Sequence, residues 1–511
     1  MYGKDKEIIA DRRIHAGSLT MNSKIKSYVS RYIVPFYFNY ENNGYAEILE
    51  YFRKCENLNT AALGVPKDCC WVEVGFWENY KSESIKQSEM DLYTYLLQIF
   101  EESPEIDERY ETNIGVSFVL KTNGSIFNLQ YKSELEELVS FRCNDLGLLF
   151  FRNGIGFVWY DIEFSKNPSI QTYVKFQQDF KELARTHNDN FVKKKGKDLY
   201  ESFQMGKWLL DIVNAKRFGI RFWSEREVLV ENTMSQKYIP DKALLFQYLF
   251  VDETEDTYRY DLAFRIANGY DEKYNSPKTL MNDLYEPFGN TCFYTSKAGM
   301  AYVVSNNGTN EEFFMNNFKD KFIRDYFFIY ILLLYQTYSC AHYSRLLTKL
   351  PADVGLFEKK AKYVHDLESL NNQINLFLVK SVYESVSNIQ HQNGLYKYAK
   401  KALSLEEDIN SLTIGLGALK EIEKEKLRTL AEEEEKLRQE KFESKDRALN
   451  EGLVVFGFLV VISAALDAVS LVDWFSDNIS RINSGHIMSL GVIGLLTLFM
   501  FVVLIVNTRK K

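Results

Sequence analysis

The chain has 511 residues, 62 Lys+Arg against 70 Asp+Glu, and a formal net charge of −8. That balance argues against direct nucleic-acid binding, because neutralising phosphates needs a basic surface. With 8 prolines and 26 glycines long disordered or collagen-like stretches are excluded, and the 6 cysteines, without a CxxC pair, read as reduced cytosolic thiols rather than a disulfide framework or zinc site.

In chain order, residues 1–20 read as a loose leader. Ile33–Tyr40 and Cys70–Trp77 are aromatic, β-branched runs of strand length. Ser117–Tyr131 holds Asn123-Gly124 between apolar flanks, a strong short-range hairpin signal. Leu148–Phe164 repeats the pattern around Arg152-Asn153-Gly154, and Cys292–Val304 turns near Lys297–Gly299. Helical stretches lie between them at Tyr45–Lys54, Glu89–Glu102, Ile170–Lys195 and Leu199–Ala215. Residues 1–310 therefore read as an α+β cytosolic domain, a sensor, with a largely antiparallel sheet covered on at least one face by helices.

After about Asn310 the strand signals stop, and residues 311–450 read as a helical hairpin and stalk. Glu311–Leu350, Phe357–Ile389 and Leu395–Asn450 are long helical patterns, separated near Pro351–Gly355 and at His391–Gly394, with Gly415 and Gly417 as a further break. Tyr326–Tyr335 is strongly apolar but too short to span a bilayer, so it reads as a buried core helix. Lys420–Arg447 mixes ten acidic and nine basic residues with i, i+4 pairs such as Glu432–Lys436. Such a solvated helix, running into an apolar one, suits a stalk that packs weakly with copies of itself.

Residues 451–511 carry the membrane signal. Gly452–Leu466 is uncharged, Asp467 interrupts it, and the apolar character resumes over Ala468–Val472 before Asp473, Trp474 and Phe475; Ile487–Val506 is a second run of twenty residues without charge. About 20 residues at ~1.5 Å rise cross the hydrocarbon core, so two transmembrane helices are expected at about 452–474 and 487–507. Basic residues flank the pair at Arg447 and at Arg509, Lys510 and Lys511. The positive-inside rule then puts both termini in the cytoplasm and the link Ser476–His486 outside, in a multi-pass inner-membrane protein.

Asp467 is the one ionisable residue well inside either span. Such carboxylates are costly in hydrocarbon and usually face a cavity or pore. Helical spacing aligns Phe456, Val460, Ser463, Asp467 and Ser470, ending at Trp474, an apolar upper half over a polar lower half. In an oligomer that stripe would form a carboxylate ring beneath a hydrophobic constriction, the way cation pores are built. Two helices cannot enclose a conduit, so a pore requires a homo-oligomer. For a ligand, Lys193-Lys194-Lys195 at a basic helix end is the most explicit anion-binding candidate. An enzymatic reading finds little: the histidines at 15, 187, 342, 365, 391 and 486 are scattered, no phosphate-binding glycine motif occurs, and Asp161-Ile162-Glu163 with Lys166 reads as a solvated strand face. No catalytic residue, metal ligand or resident cofactor is expected.

A cytosolic α+β domain, a helical hairpin, a long stalk and two C-terminal spans resemble the CorA superfamily of metal-ion transporters. The resemblance is one of layout over most of the chain. It implies a pentamer whose first span lines the pore. The family's Gly-Met-Asn motif is absent; its place reads Leu471-Val472-Asp473-Trp474-Phe475, which counts against selective magnesium transport. Divergent CorA-like proteins without the motif accompany type III CRISPR systems. Resemblance to them implies an antiviral membrane effector opened by a nucleotide messenger on its cytosolic domain. The alternatives are a constitutive divalent-cation transporter of the magnesium type, with Mg2+ or another cation as cargo, and a membrane-anchored scaffold without conductance.

Overall fold

The structure, a computed structural model, describes residues 24–40, 44–54, 69–74, 92, 96, 113–132, 138–183, 190–194, 200–223, 241–252, 255–271, 273–277, 279–306, 308, 310–348, 361–477, 494 and 498. The expected leader, nearly all of Glu89–Glu102, Lys195, the link after Asp477 and all of Ile487–Val506 except Gly494 and Leu498 lie outside them. The chain divides into two compact units, Met1–Glu421 and Ile422–Lys511.

In the first unit the described strands form one 13-stranded sheet. In chain order they are β1 Ile25–Tyr37, β2 Cys70–Glu73, β3 Gly115–Lys121, β4 Phe127–Lys132, β5 Leu138–Phe151 and β6 Ile155–Phe164. There follow β7 Phe191–Lys194, β8 Tyr200–Ser202, β9 Arg221–Phe222, β10 Leu244–Val251, β11 Leu284–Tyr285, β12 Thr291–Ser296 and β13 Gly299–Ser305. The spatial order is β11-β12-β13-β10-β1-β6-β5-β4-β7-β8, with β3 also beside β5, β2 outside β3 and β9 against the end of β1. The sheet is largely antiparallel, with β10 and β13 parallel.

Both faces are covered, which is why β10 (LLFQYLFV) is buried along its whole length rather than alternating. One face packs against α2 (Ile170–Lys181) and α4 (Asp256–Asn268), which follow α1 (Gly44–Lys54) and α3 (Met205–Ile212). There Phe180 meets Tyr32 at 4.9 Å and Phe176 meets Phe141 at 4.9 Å. The other face is covered by the helical stretch from Phe313, π-helical at Phe313–Asn317 and Phe322–Tyr326, that leads into α5, Phe327–Thr348. Phe246 stacks on Phe322 at 4.3 Å and Phe151 on Tyr335 at 3.9 Å. The apolar run Tyr326–Tyr335 is thus a buried core helix, no residue of it more than 3% exposed. After it come α6 (Ala361–Ser381), α7 (Gln390–Ala402) and α8 (Leu405–Asp477).

Several expectations change. The turn at Asn153-Gly154 joins the paired β5 and β6, and Lys297-Ala298 joins β12 and β13. Asn123-Gly124 instead separates two strands that do not pair with each other. Both β3 and β4 lie along the same edge of β5, at Gly147–Phe151 and Leu138–Cys143, on either side of the irregularity between Cys143 and Leu146. The helix expected at Ile170–Lys195 ends at Lys181, because Phe191 is drawn into the sheet among Tyr131, Phe141, Phe176 and Phe180. Likewise α3 occupies only Met205–Ile212 of Leu199–Ala215.

Neither glycine site breaks a helix where expected. Gly394 lies inside α7, where any side chain would collide with Tyr285 Oη, a hydroxyl that donates to His391 O at 3.0 Å. Gly415 and Gly417 lie within α8, whose early turns bury Leu412, Leu416 and Leu419. A helical glycine costs roughly 1 kcal/mol relative to alanine, less than the ~1.5–3 kcal/mol gained per buried leucine. The break falls at Ser404, in the left-handed region (φ 57°).

Burial also sets the thiol chemistry. It raises the Cys143 thiol and pushes those of Cys292 and Cys340 up to about 12, leaving little thiolate at neutral pH. Iodoacetamide at pH 8 should therefore leave these three unmodified in the folded protein and alkylate them in urea, as peptide mass mapping would read. Modification of any of them at the rate seen in urea would contradict the packing described here.

Candidate functional site

Among the described residues, one helix, α8, is long and apolar enough to cross a membrane, and none of its most apolar window is buried. Phe456, Val460, Ser463, Asp467 and Ser470 all lie on it and all are exposed. Their three- and four-residue spacing puts them on one face. Ser470 Oγ donates to Leu466 O at 2.7 Å, which satisfies the hydroxyl within its own helix. Asp467 remains as the stripe's charge, between apolar neighbours Leu466 and Val469 that are themselves exposed.

Lys193 and Lys194 do not end a helix. They sit on β7, which pairs with β8 through Lys193↔Glu201 and Lys194↔Tyr200. The helix-dipole argument for an anion there falls away, since strand dipoles largely cancel. Lys193 is half-buried.

Asp161 and Glu163 lie on one face of β6, and arginines hold both. Glu163 accepts from Arg142 at 2.8 Å. Asp161 accepts twice from Arg31, Nε to Oδ1 and Nη2 to Oδ2, each at 2.6 Å. The Arg31 guanidinium is buried, 4.3 Å from the Trp159 ring centre and 4.1 Å from that of Phe327. These contacts give the carboxylates a structural role. No group of three or more His, Cys, Asp or Glu side chains with metal-site geometry occurs among the described residues.

A further constellation, absent from the sequence reading, lies where α5 passes the ends of β1 and β9. Tyr338, His342 and Arg345 follow one another at i, i+4 and i+7 on α5, so they share a face. That face meets Tyr37, the last residue of β1, and Trp223, which follows β9 and is fixed by Trp223 N–H donating to Pro35 O at 2.9 Å. Ring centres are 5.1 Å apart for Tyr37–Trp223, 4.8 Å for Trp223–Tyr338 and 5.6 Å for Tyr37–His342. Arg345 Nη1 donates to Tyr37 Oη at 3.2 Å. Arg221 is the cross-strand partner of Tyr37, which puts it on the same sheet face. The four rings are partly exposed and the two arginines exposed. The alternation Arg221-Phe222-Trp223 was the available signal, but only the fold brings it to α5.

No family model matches this chain, and neither the curated proteins nor the solved structures yield a match.

Proposed function

We propose that this chain is a homo-oligomeric membrane channel of CorA-like layout, pentameric by that resemblance, opened by a ligand on its first unit. In this reading α8 supplies the first span, Asp467 and the neighbouring serines face the pore, and Phe456 and Val460 form the constriction above them. The observation that carries the reading is the exposed apolar helix with a single carboxylate on its face. A carboxylate in hydrocarbon is tolerated where it meets water or a partner, and copies of α8 around an axis would supply both. Ligand binding would act as a population shift between two arrangements of α8. As an antiviral effector responding to a nucleotide messenger, it would sit in the inner membrane with both termini cytoplasmic.

Flux from liposomes reconstituted with the full chain tests this, with mass measured first for oligomeric state. Cation flux that appears only with added nucleotide is the expected result. Steady magnesium flux without ligand would instead establish the constitutive transporter, and a verified oligomer without flux in either condition would establish the scaffold.

A further inference from the structure

We infer that Tyr37, Trp223, Tyr338 and His342, flanked by Arg221 and Arg345, form a binding site for a flat aromatic ring carrying an anionic group. The inference rests on the ligand-gated reading only for its consequence, since binding can be measured without flux. Three observations carry it. The first is composition: four partly exposed rings from β1, α5 and the residue after β9 lie together, with exposed Arg345 donating to Tyr37 and exposed Arg221 at the strand position opposite Tyr37. The second is that Arg221 has no ion pair among the described residues, although it is held opposite Tyr37 by strand pairing. The third is rigidity. Tyr37 ends a strand paired on both sides, Trp223 is anchored by its backbone to Pro35, and Tyr338 also packs on Phe157 at 5.9 Å.

Rings held in place lose little freedom when a ligand stacks on them. The ordering cost of α5 is likewise met by its buried first half, with no residue from Phe327 to Gln336 more than 3% exposed. Base-like rings stack on indole and phenol faces without needing a particular hydrogen-bond pattern. Guanidinium groups take phosphate or carboxylate oxygens in bidentate fashion, which lysines such as Lys193 do not. A nucleoside monophosphate has both features, a ring and an anion a few ångströms apart. The bare anion or the bare ring would each use half of the site.

The test uses the full chain in detergent micelles and isothermal titration calorimetry with adenosine 5′-monophosphate, adenosine and inorganic phosphate. The monophosphate should bind at least about tenfold more tightly than either fragment, as expected when stacking and charge-assisted bonds both contribute. Arg221→Gln should weaken the monophosphate about tenfold and leave adenosine unchanged, because only the anion contact is lost. Trp223→Leu should weaken both ring-bearing probes. Arg221 is exposed, so its substitution keeps the test valid even if the tryptophan variant fails to fold. Phosphate binding as tight as the monophosphate, monophosphate binding indifferent to Arg221→Gln, or no binding at millimolar concentration would each overturn the site. A site that survives in a protein without nucleotide-dependent flux would sink the gating reading alone.

Discussion

Asp161→Ala should lower the unfolding free energy of the sheet-bearing unit by about 3–5 kcal/mol, the usual cost of stranding one partner of a buried pair. Arg31 is 1% exposed, so removing its carboxylate strands a buried guanidinium. Its other neighbours include two ring faces, the carbonyl of Ile323 at 3.4 Å from Nη1 and, electrostatically, the Asp145 carboxylate, none of which supplies the bidentate hydrogen bonds of Asp161. Glu163→Ala is the control on the same strand. Its pairing with Arg142 is half exposed on both sides, so the loss should stay within about 1 kcal/mol. The double change Arg31→Met with Asp161→Leu should recover much of the deficit, since apolar residues often replace a buried pair at little cost. Urea melts of the four proteins read this directly. Equal losses for Asp161→Ala and Glu163→Ala would show that the pair is not the pin described.

If the proposed channel reading holds, Asp467→Asn should reduce cation flux about tenfold while leaving insertion and oligomer mass unchanged, because it would remove charge from the pore ring but keep size and polarity. Asp467→Leu separates the two contributions. It removes an insertion cost of roughly 2.5–3.5 kcal/mol, so membrane yield should hold or rise as flux falls. Asp473, near the end of the same helix, serves as a comparison: Asp473→Asn should change flux less than Asp467→Asn. Unchanged flux in an intact Asp467→Asn oligomer would take this carboxylate out of the ion path.

What the sequence revealed depended on how local the cause was. Hairpins at Asn153-Gly154 and Lys297-Ala298 were readable because turn and pairing lie within a few residues. Asn123-Gly124 carries the same signal, yet β3 and β4 both find β5, and nothing between residues 117 and 131 foretells that. Tyr326–Tyr335 was readable as core from length alone. The Lys193–Lys194 strand was not, because Phe191 is placed by rings 11 to 60 residues away in sequence, from Phe180 to Tyr131. Arg31 and Asp161 are separated by 130 positions, and the aromatic and arginine constellation draws on three elements. The stripe around Asp467 lies on a single helix, so spacing sufficed to align it.

The position of β1 has a consequence for biosynthesis. This strand is the first of the described strands to be translated, yet it lies between β6 and β10, and the contact between Gln247 and the Arg31 carbonyl spans 216 residues. At ~5–20 residues per second, the ribosome takes roughly 10–45 s to deliver β10 after β1. Throughout that interval the run Ile33–Tyr40, nearly all apolar or aromatic, has no partner on one side. An apolar strand left unpaired for that long is exposed to aggregation, and a sheet of this topology closes late and slowly. The apolar part of α8 leaves the ribosome after every strand of that sheet. In the proposed membrane reading, capture of that segment by the insertion machinery would therefore follow delivery of the whole described sheet, by the order of the chain itself.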